Sequence, residues 1–500
     1  MKYFKFYNIL TIIIFSIILL VGIATYKNYG VSWDEPIQRE YGQAVYNYVT
    51  GENKALQKNK EKYYGPLFET SLIFVEKTFN IADIQDVYFS RHLLNFLLFY
   101  LGLVTFYSFL KIRFSNYAAI FGVLVLAIHP RIWAHSFYNS KDIPLLVFFI
   151  ISFATMQQLL NKKNNRWLIL HGIASSAVIS IRIVGVMIPI ITLIVLALQY
   201  ALEEKDTSLK MIINKLGFYA FITAIVTVIF WPTLWHNPIK EFLNAFEAMK
   251  QYDQSTHMLY YGEKISSTKV PWHYTLGWLY VTTPIVYLLF ALLGFCKIIY
   301  EWIINKKINI IDLSILLWFF VPLVSVIYFK SVLYDSWRQM FFIYPAFIYF
   351  VIRLIFTNGK KIKYFLAVIL VTQIIYTVIQ MSKLHPHENV YFSETVHNKQ
   401  NLSTRFELDY WGLSYKQAFE YLIEHENKEI HIYVENKPGL NNVEIMPKEY
   451  RDKIKIEKQY ENAEYYLTNY RKKEDISMLE EIYTIRVYEN NIVGIYKIDQ

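Results

Sequence analysis

Five hundred residues with 54% hydrophobic and 18% aromatic side chains, at a mean hydropathy of +0.24, are too apolar for a soluble two-domain protein, whose apolar share is about 45–50%. The net charge of +9, from 50 Lys and Arg against 41 Asp and Glu, is spread over short loops between apolar runs. That pattern orients a membrane protein and argues against nucleic-acid binding. A single cysteine, Cys296, excludes an intramolecular disulfide and a cysteine-based metal site.

The first apolar run, residues 6–26, follows Lys2 and Lys5 and carries no charge. It is longer than the roughly 7–15-residue core of a cleavable signal peptide and reads as a signal anchor. Further runs follow at 93–110, 114–128, 143–160, 167–181, 183–202, 216–234, 274–296, 308–329, 339–352 and 364–381. Most approach the ~20 residues that cross ~30 Å of hydrocarbon, and three are nearer ~15, so the expectation is about eleven membrane helices.

Loop charge tests that count. With the amino terminus inside, Lys111 and Arg113, then Lys162, Lys163 and Arg166, Lys205 and Lys210, Lys297, Lys306 and Lys307, and Arg353, Lys360, Lys361 and Lys363 all fall on one face, as cytoplasmic loops should. The opposite, extracytoplasmic face receives 26–92, 129–142, a tight turn near 182–185, 232–273, 330–338 and everything after Ser382. Within those loops, 37–49, 66–79 and 238–251 mix apolar and polar residues at helical spacing, the pattern of interfacial or plain loop helices. No internal repeat or low-complexity segment is present.

After Ser382 apolar runs shrink to strand length, at 430–434, 453–456, 465–467, 483–487 and 492–498, and a helical stretch at 414–426 precedes the first. The expected organisation is a polytopic α-helical membrane domain, residues 1–381, followed by a small soluble α/β domain, residues 382–500.

Four groups of residues on the extracytoplasmic face carry chemistry. Asp34 and Glu35 lie just past the first membrane run, bracketed by Trp33 and Pro36; a bulky ring and a fixed turn suit a positioned carboxylate that takes a proton from a hydroxyl. In HPRIWAHSFYNSKDIP, residues 129–144, Asp142 stands at a helix entrance where it can cap the helix. Lys141, Arg131, His129 and His135 crowd the same loop, a cluster suited to an anion. Asp142 with Asp34 is a candidate pair for a divalent metal, the one cofactor the residues allow for. Arg182, in SIRIVG between two apolar runs, is costly at that depth and needs a partner or a cavity; its guanidinium fork suits a phosphate. Lys269 and His273 in STKVPWHY, and Asp335 and Arg338 in LYDSWRQMFFIYP, fall outside among aromatic residues. They outline a basic, aromatic groove suited to a polyprenyl phosphate and a sugar.

Neither a GxxxxGK[ST] phosphate loop, nor HExxH, nor a convincing GxGxxG is present. The cytoplasmic loops are too short for a nucleotide-sugar domain, so a donor carried by the membrane lipid itself fits better.

Taken together and in order, SWDEP, KDIP, SIRIVG, PWHY, YDSWRQMFFIYP and ENVYFSE…FELDYWGLSYKQAFEYL resemble membrane glycosyltransferases of the dolichyl-phosphate-mannose and protein O-mannosyltransferase type, including bacterial members similar to aminoarabinose transferase. The resemblance covers nearly the whole chain. It implies a GT-C fold with an extracytoplasmic active site, a polyprenyl-phosphate sugar donor, a glycan, lipid or protein acceptor, and inversion at the anomeric carbon. It also implies Asp34 as general base, Glu35 completing that motif, Asp142 as the second acidic position, and Arg182 and Arg338 as lipid-phosphate contacts; Lys141 or Lys269, by charge and sidedness, is a candidate further cation for the phosphate. SWRQ departs from the more usual GWRH, which puts a role for Gln339 in doubt. The alternative from another class is a transporter or flippase for lipid-linked sugars; such proteins place coupling charges near the midplane and often show repeated halves, and this chain shows neither.

Overall fold

The computed structural model describes residues 2–52, 55–203, 209–250, 256–426, 428–472 and 476–498; Lys205 and Gln251 lie outside the described residues. All eleven apolar runs contain helix. Among the described residues nine helices are long and apolar enough to cross a membrane, or up to ten if a bent pair counts as one span.

Two runs account for the difference from eleven. The run at 114–128 yields only the 12-residue helix Asn116–Ala127. His129 then turns extended, and Pro130 opens the helix Pro130–Tyr138 at 69° to it, as expected of a proline without a donor to continue the ladder. The run at 167–181 yields Asn165–Ile179, 15 residues, about 22 Å at 1.5 Å per residue and short of the hydrocarbon thickness. The run at 274–296 is also broken. Pro284 separates Tyr274–Thr282 from the span-length helix Ile285–Asn305, with Thr283 extended before it. Helix starts use the short polar residues expected there: Ser115 accepts from the Ala118 N–H, Asn164 from Trp167, and Asn309 from Ile311 and Asp312.

Burial ranks the spans. Arg338–Phe356 is 89% buried over its apolar window, whereas Asn8–Thr25, Lys210–Phe230 and Lys360–Leu384 are each 17% buried. The first is therefore the central helix, and the other three present apolar side chains outward, among them Leu20, Phe221 and Val368. Around the central helix Phe149 stacks on Phe342 at 4.2 Å and Phe153 on Trp318 at 4.1 Å between ring centroids.

Ion pairs confirm how the helices alternate. Asp312, at the start of Ile310–Tyr328, is 3.6 Å from both Arg113 and Arg353, and Arg353 also bonds Glu301. The helix ends with basic loops thus meet at one end of the bundle. Asp142, Arg182 and Arg338 meet at the other.

The segments at 37–49, 66–79 and 238–251 form the helices Glu35–Val49, Leu67–Thr78 and Pro238–Lys250. Each leaves apolar side chains or their neighbours exposed, notably Phe74, Phe79, Ile239 and Leu243. A hairpin, β1 (His257–Tyr260) with β2 (Glu263–Ser266), follows in antiparallel register and turns at Tyr261 and Gly262, both at positive φ.

The carboxy-terminal part is a five-stranded mixed sheet. Its strands are β3 (Ile430–Val434), β4 (Ile454–Ile456), β5 (Tyr465–Thr468), β6 (Glu480–Val487) and β7 (Asn490–Lys497), in the order β4-β3-β5-β7-β6. β3 runs parallel to β4 and β5, while β7 is antiparallel to β5 and β6. The helix Tyr415–His425 buries Ala418, Phe419 and Leu422 in the sheet's core, and Val31, Tyr88 and Phe89 of the membrane domain join the same cluster. Asn442 clamps the loop before Asp34, accepting from the Val31 N–H at 2.9 Å and donating to the Val31 carbonyl at 3.0 Å. A Cβ on Gly30 would lie 2.4 Å from the Leu413 carbonyl oxygen, so the close approach requires glycine there.

Candidate active site

Arg338 is the hub of the site. It opens the central helix, is fully buried, and its guanidinium meets three carboxylates: Asp142 Oδ2 at 2.7 Å from Nη1, Asp335 Oδ2 at 2.8 Å from Nε, and Asp34 Oδ2 at 3.8 Å from Nη2. Its plane also lies 4.6 Å from the Trp411 ring and 4.9 Å from Tyr334. Only Nη1 makes a hydrogen bond, to Asp142; Nε and Nη2 are buried beside carboxylates without one, so charge pairing and the ring faces hold this guanidinium in place.

Asp142 joins Arg338 to Arg182, whose Nη2 is 3.2 Å from Asp142 Oδ1. The helix-cap role expected of Asp142 belongs instead to Asn139. Its Oδ1 accepts from the Lys141 N–H at 3.2 Å and the Asp142 N–H at 2.9 Å, and its Nδ2 donates to Asp142 Oδ2 at 2.9 Å. Asp142 is 1% exposed, so its carboxylate is spent on holding two arginines rather than open to a reactant.

Asp34 contrasts with both neighbours. Its carboxylate is 25% exposed, against 10% for Asp335 and 1% for Asp142. It makes no side-chain cap bond to the helix it precedes, and its contact among the described residues is the Arg338 fork. Glu35 turns the other way. It accepts from the Ser32 N–H at 2.7 Å and pairs with His92 Nε2 at 2.9 Å, 2% exposed. Glu35 thus ties the turn that presents Asp34.

Asp335 and Ser336 sit consecutively at φ of 53° and 60°, a left-handed pair unusual for residues with side chains. The turn points Asp335 back at Arg338. Burial pushes the Asp335 carboxyl up to about 6, against the opposing pull of Arg338 and Arg131. Between the ordinary 3.8 and that value the folded protein holds a proton that the unfolded chain has released. Stability from this group therefore falls as pH rises through the window. The unfolding free energy of Asp335→Asn should accordingly gain on that of wild type as pH rises from about 4 to 7, by up to ~3 kcal/mol, read from denaturant melts at each pH. A gap that does not change with pH would show that the charge is not buried.

The other expected residues are placed as follows. Lys141 stands 4.3 Å over the Tyr64 ring, and burial pulls its ammonium down while Asp34 and Glu61 oppose the shift. Arg131 donates to the Tyr391 carbonyl at 2.9 Å and lies over Trp278 and Phe392, away from the Arg338 fork. His129 caps its own helix through the Ile132 N–H. Lys269 and His273 are exposed, and His273 Nδ1 bonds the Tyr260 hydroxyl at 3.0 Å. Neither side chain joins the cluster; their segment touches it only through the backbone, where Leu333 N–H donates to Ser267 O at 3.2 Å. Both lie at the exposed surface, apart from the Arg338 cluster.

The space between Asp34 and Asp142 is filled by the Arg338 guanidinium, so these two do not form the metal pair that their residue types allow. Among the described residues no group of three or more His, Cys, Asp or Glu has metal-binding geometry. Asn139 and Trp411 were not among the expected site residues. An Asn three residues before the helix-entrance Asp is a legible cap signal, whereas Trp411 arrives from the far end of the chain.

Beside Arg182 lies a cavity of about 240 Å³ with apolar walls from Ile183, Met187, Val326, Phe329, Val332 and Phe342; Tyr64, Tyr334 and Gln339 also line it. The slot is thus apolar along most of its lining, with the Arg182 guanidinium as its cation.

Residues 9–242 match the family model described as dolichyl-phosphate-mannose-protein mannosyltransferase. Among solved structures the chain is similar to ArnT from Cupriavidus metallidurans, both apo (TM-score 0.52, 12% identity, 98% of each chain) and bound to undecaprenyl phosphate (TM-score 0.51, 12% identity, 97% of each chain). It is also similar to the apo Archaeoglobus fulgidus oligosaccharyltransferase, with TM-score 0.50 and 10% identity over 94% of this chain and 70% of that one. No curated protein matches the sequence. The chain therefore has the fold of ArnT, a mostly helical membrane domain with a small carboxy-terminal sheet domain, and its amino-terminal part resembles the mannosyltransferase family.

Proposed function

We propose that the chain transfers a sugar from a polyprenyl-phosphate donor to an acceptor hydroxyl on the extracytoplasmic face, with inversion at the anomeric carbon. The observation that carries this reading is the asymmetry around Arg338. One carboxylate, Asp34, is left open, while Asp335 is held against Arg338 and Asp142 against both Arg338 and Arg182, the latter lining an apolar slot. Asp34 takes the proton of the acceptor hydroxyl, whose oxygen attacks the sugar's C1 as the bond from C1 to the phosphate oxygen breaks. Arg182 and Arg338 stabilise the departing phosphate as its charge grows. Asp142 is a positioning residue that holds both guanidinium groups in one orientation.

The clustering of the site at the bundle end opposite Arg113 and Arg353 supports the extracytoplasmic placement, since basic ends stay inside. The charges gather at a helix end rather than at mid-span, unlike the coupling sites of transporters. Purified protein incubated with a panel of polyprenyl-phosphate hexoses and pentoses should release polyprenyl phosphate and transfer the mass of one sugar; consumption of none of them would overturn the reading. Arg182→Gln should raise the donor KM and lower kcat, together costing on the order of 10²–10³ in kcat/KM. An unchanged donor KM would remove Arg182 from the phosphate site.

A further inference from the structure

A second cavity, of about 270 Å³, lies where the β1–β2 hairpin, residues 403–410 and the Tyr470–Lys472 loop of the sheet domain meet. It differs from the apolar slot in kind. Hydroxyl and amide side chains from Ser403, Tyr410, Tyr470 and Asn491 line it, with Lys264, Arg471 and Lys472 as cations. Its two acids do not balance those charges. Asp409 is spent on the Leu413 and Ser414 N–H groups and the Ser414 hydroxyl. Burial pushes the Glu407 carboxyl up to about 7, although Arg471 at 3.7 Å pulls the other way.

This cavity is coupled to the Arg338 hub by a wall of rings. The Arg471 guanidinium lies 4.2 Å over Tyr410 and 5.3 Å over Trp33, the residue before Asp34. Tyr410 is 6.2 Å from both Tyr334 and Trp411, the two rings that flank Arg338. The apolar slot reaches Tyr334 from the other side. A two-substrate transfer needs a second site near the base, and this cavity adjoins the residue before Asp34 through Arg471 and Trp33.

Resting on the reading above that Asp34 activates an acceptor hydroxyl, we propose that this cavity seats the acceptor, and that the acceptor is a saccharide bearing an anionic group, held by Arg471 with Lys264 and Lys472. The hydroxyl and amide groups match the sugar's own hydroxyls, and the cations match a carboxylate or a phosphate on it. The cavity is sized for a sugar unit and not for a folded protein surface.

The test uses full-length purified protein and saturation-transfer NMR with three probes: a galacturonate trisaccharide, mannose 6-phosphate and neutral maltotriose. One or both anionic probes should bind at least ten times more tightly than maltotriose. Arg471→Met should abolish that preference, Arg471→Lys should keep most of it, and the exposed change Lys472→Glu should weaken it. The galacturonate and phosphate arms tell which anion the site takes. Equal or tighter binding of maltotriose, or an anionic preference that survives in Arg471→Met, would overturn the proposal. Donor consumption by the wild type, measured in parallel, fails separately: a chain that binds the anionic sugar yet consumes no polyprenyl-phosphate donor keeps the acceptor cavity and loses the transferase reading.

Discussion

Asp34→Asn is expected to lower kcat by about 10²–10⁴-fold, the span that a positioned general base contributes, while the protein still inserts and melts like wild type. The structural reason is that Asp34 supports nothing. It makes no side-chain cap bond, is a quarter exposed, and touches Arg338 only at 3.8 Å. Asparagine has the same shape and cannot accept the hydroxyl proton. The measurement is the initial rate of polyprenyl-phosphate release with a donor that the wild type consumes, alongside a melting curve in detergent. Transfer retained at near wild-type rate would take the base role away from Asp34. Glu35→Gln separates the two neighbours, because Glu35 is a buried partner of His92 and of the Ser32 N–H. Its loss should lower stability, and lower the rate only through the shape of the turn.

Arg338→Met is expected to have the larger effect on the fold. The side chain is fully buried with Asp142 and Asp335 within 2.8 Å of its donors. Removing the cation strands buried carboxylates, a change that costs about 3–5 kcal/mol. The expected result is poor accumulation in the membrane, a lower melting temperature and no transfer. Arg338→Lys keeps the charge but has no planar fork to span two carboxylates, so it should recover part of the stability and little of the rate. The discriminating measurement is a double-mutant cycle: Asp142→Asn added to Arg338→Met should cost less than the sum of the two single changes, because one of the two stranded carboxylates is gone while Asp335 remains, and a strictly additive loss would refute the coupling. Activity should stay absent in the double variant, since the phosphate then faces only Arg182.

Much of this architecture is legible without coordinates, for reasons that can be named. The apolar runs are found by composition because lipid demands uninterrupted apolar length. The five strand-length runs after Ser382 become β3 to β7 because short alternating or apolar segments bounded by turns have few other stable outcomes. The number of spans was less legible. The break at Pro130 and the 15-residue helix Asn165–Ile179 depend on how neighbours cover a short or bent element, and hydropathy does not report that.

The candidate site divides in the same way. Asp34, Asp142, Arg182 and Arg338 stand out singly, because charge at a membrane edge is costly and is kept for a purpose. Their order along the chain and common sidedness place them at one end of the bundle. Type and sidedness alone do not say which residues meet: Lys269 and His273 share the chemistry of the group, yet both side chains stay exposed and apart from Arg338.

Composition and order along the chain suffice for a multi-span membrane protein with a small sheet domain and charged residues at the ends of its apolar runs, because burial of apolar length and the cost of buried charge act on each segment separately. Folding alone makes one arginine the partner of three aspartates, separates open Asp34 from locked Asp142 and structural Glu35, and sets Trp411 and Arg471 of the sheet domain against residues beside the amino-terminal turn. Those pairings join residues as far apart as Trp33 and Arg471. They follow from the packing of whole helices and of the docked sheet, which no local pattern encodes.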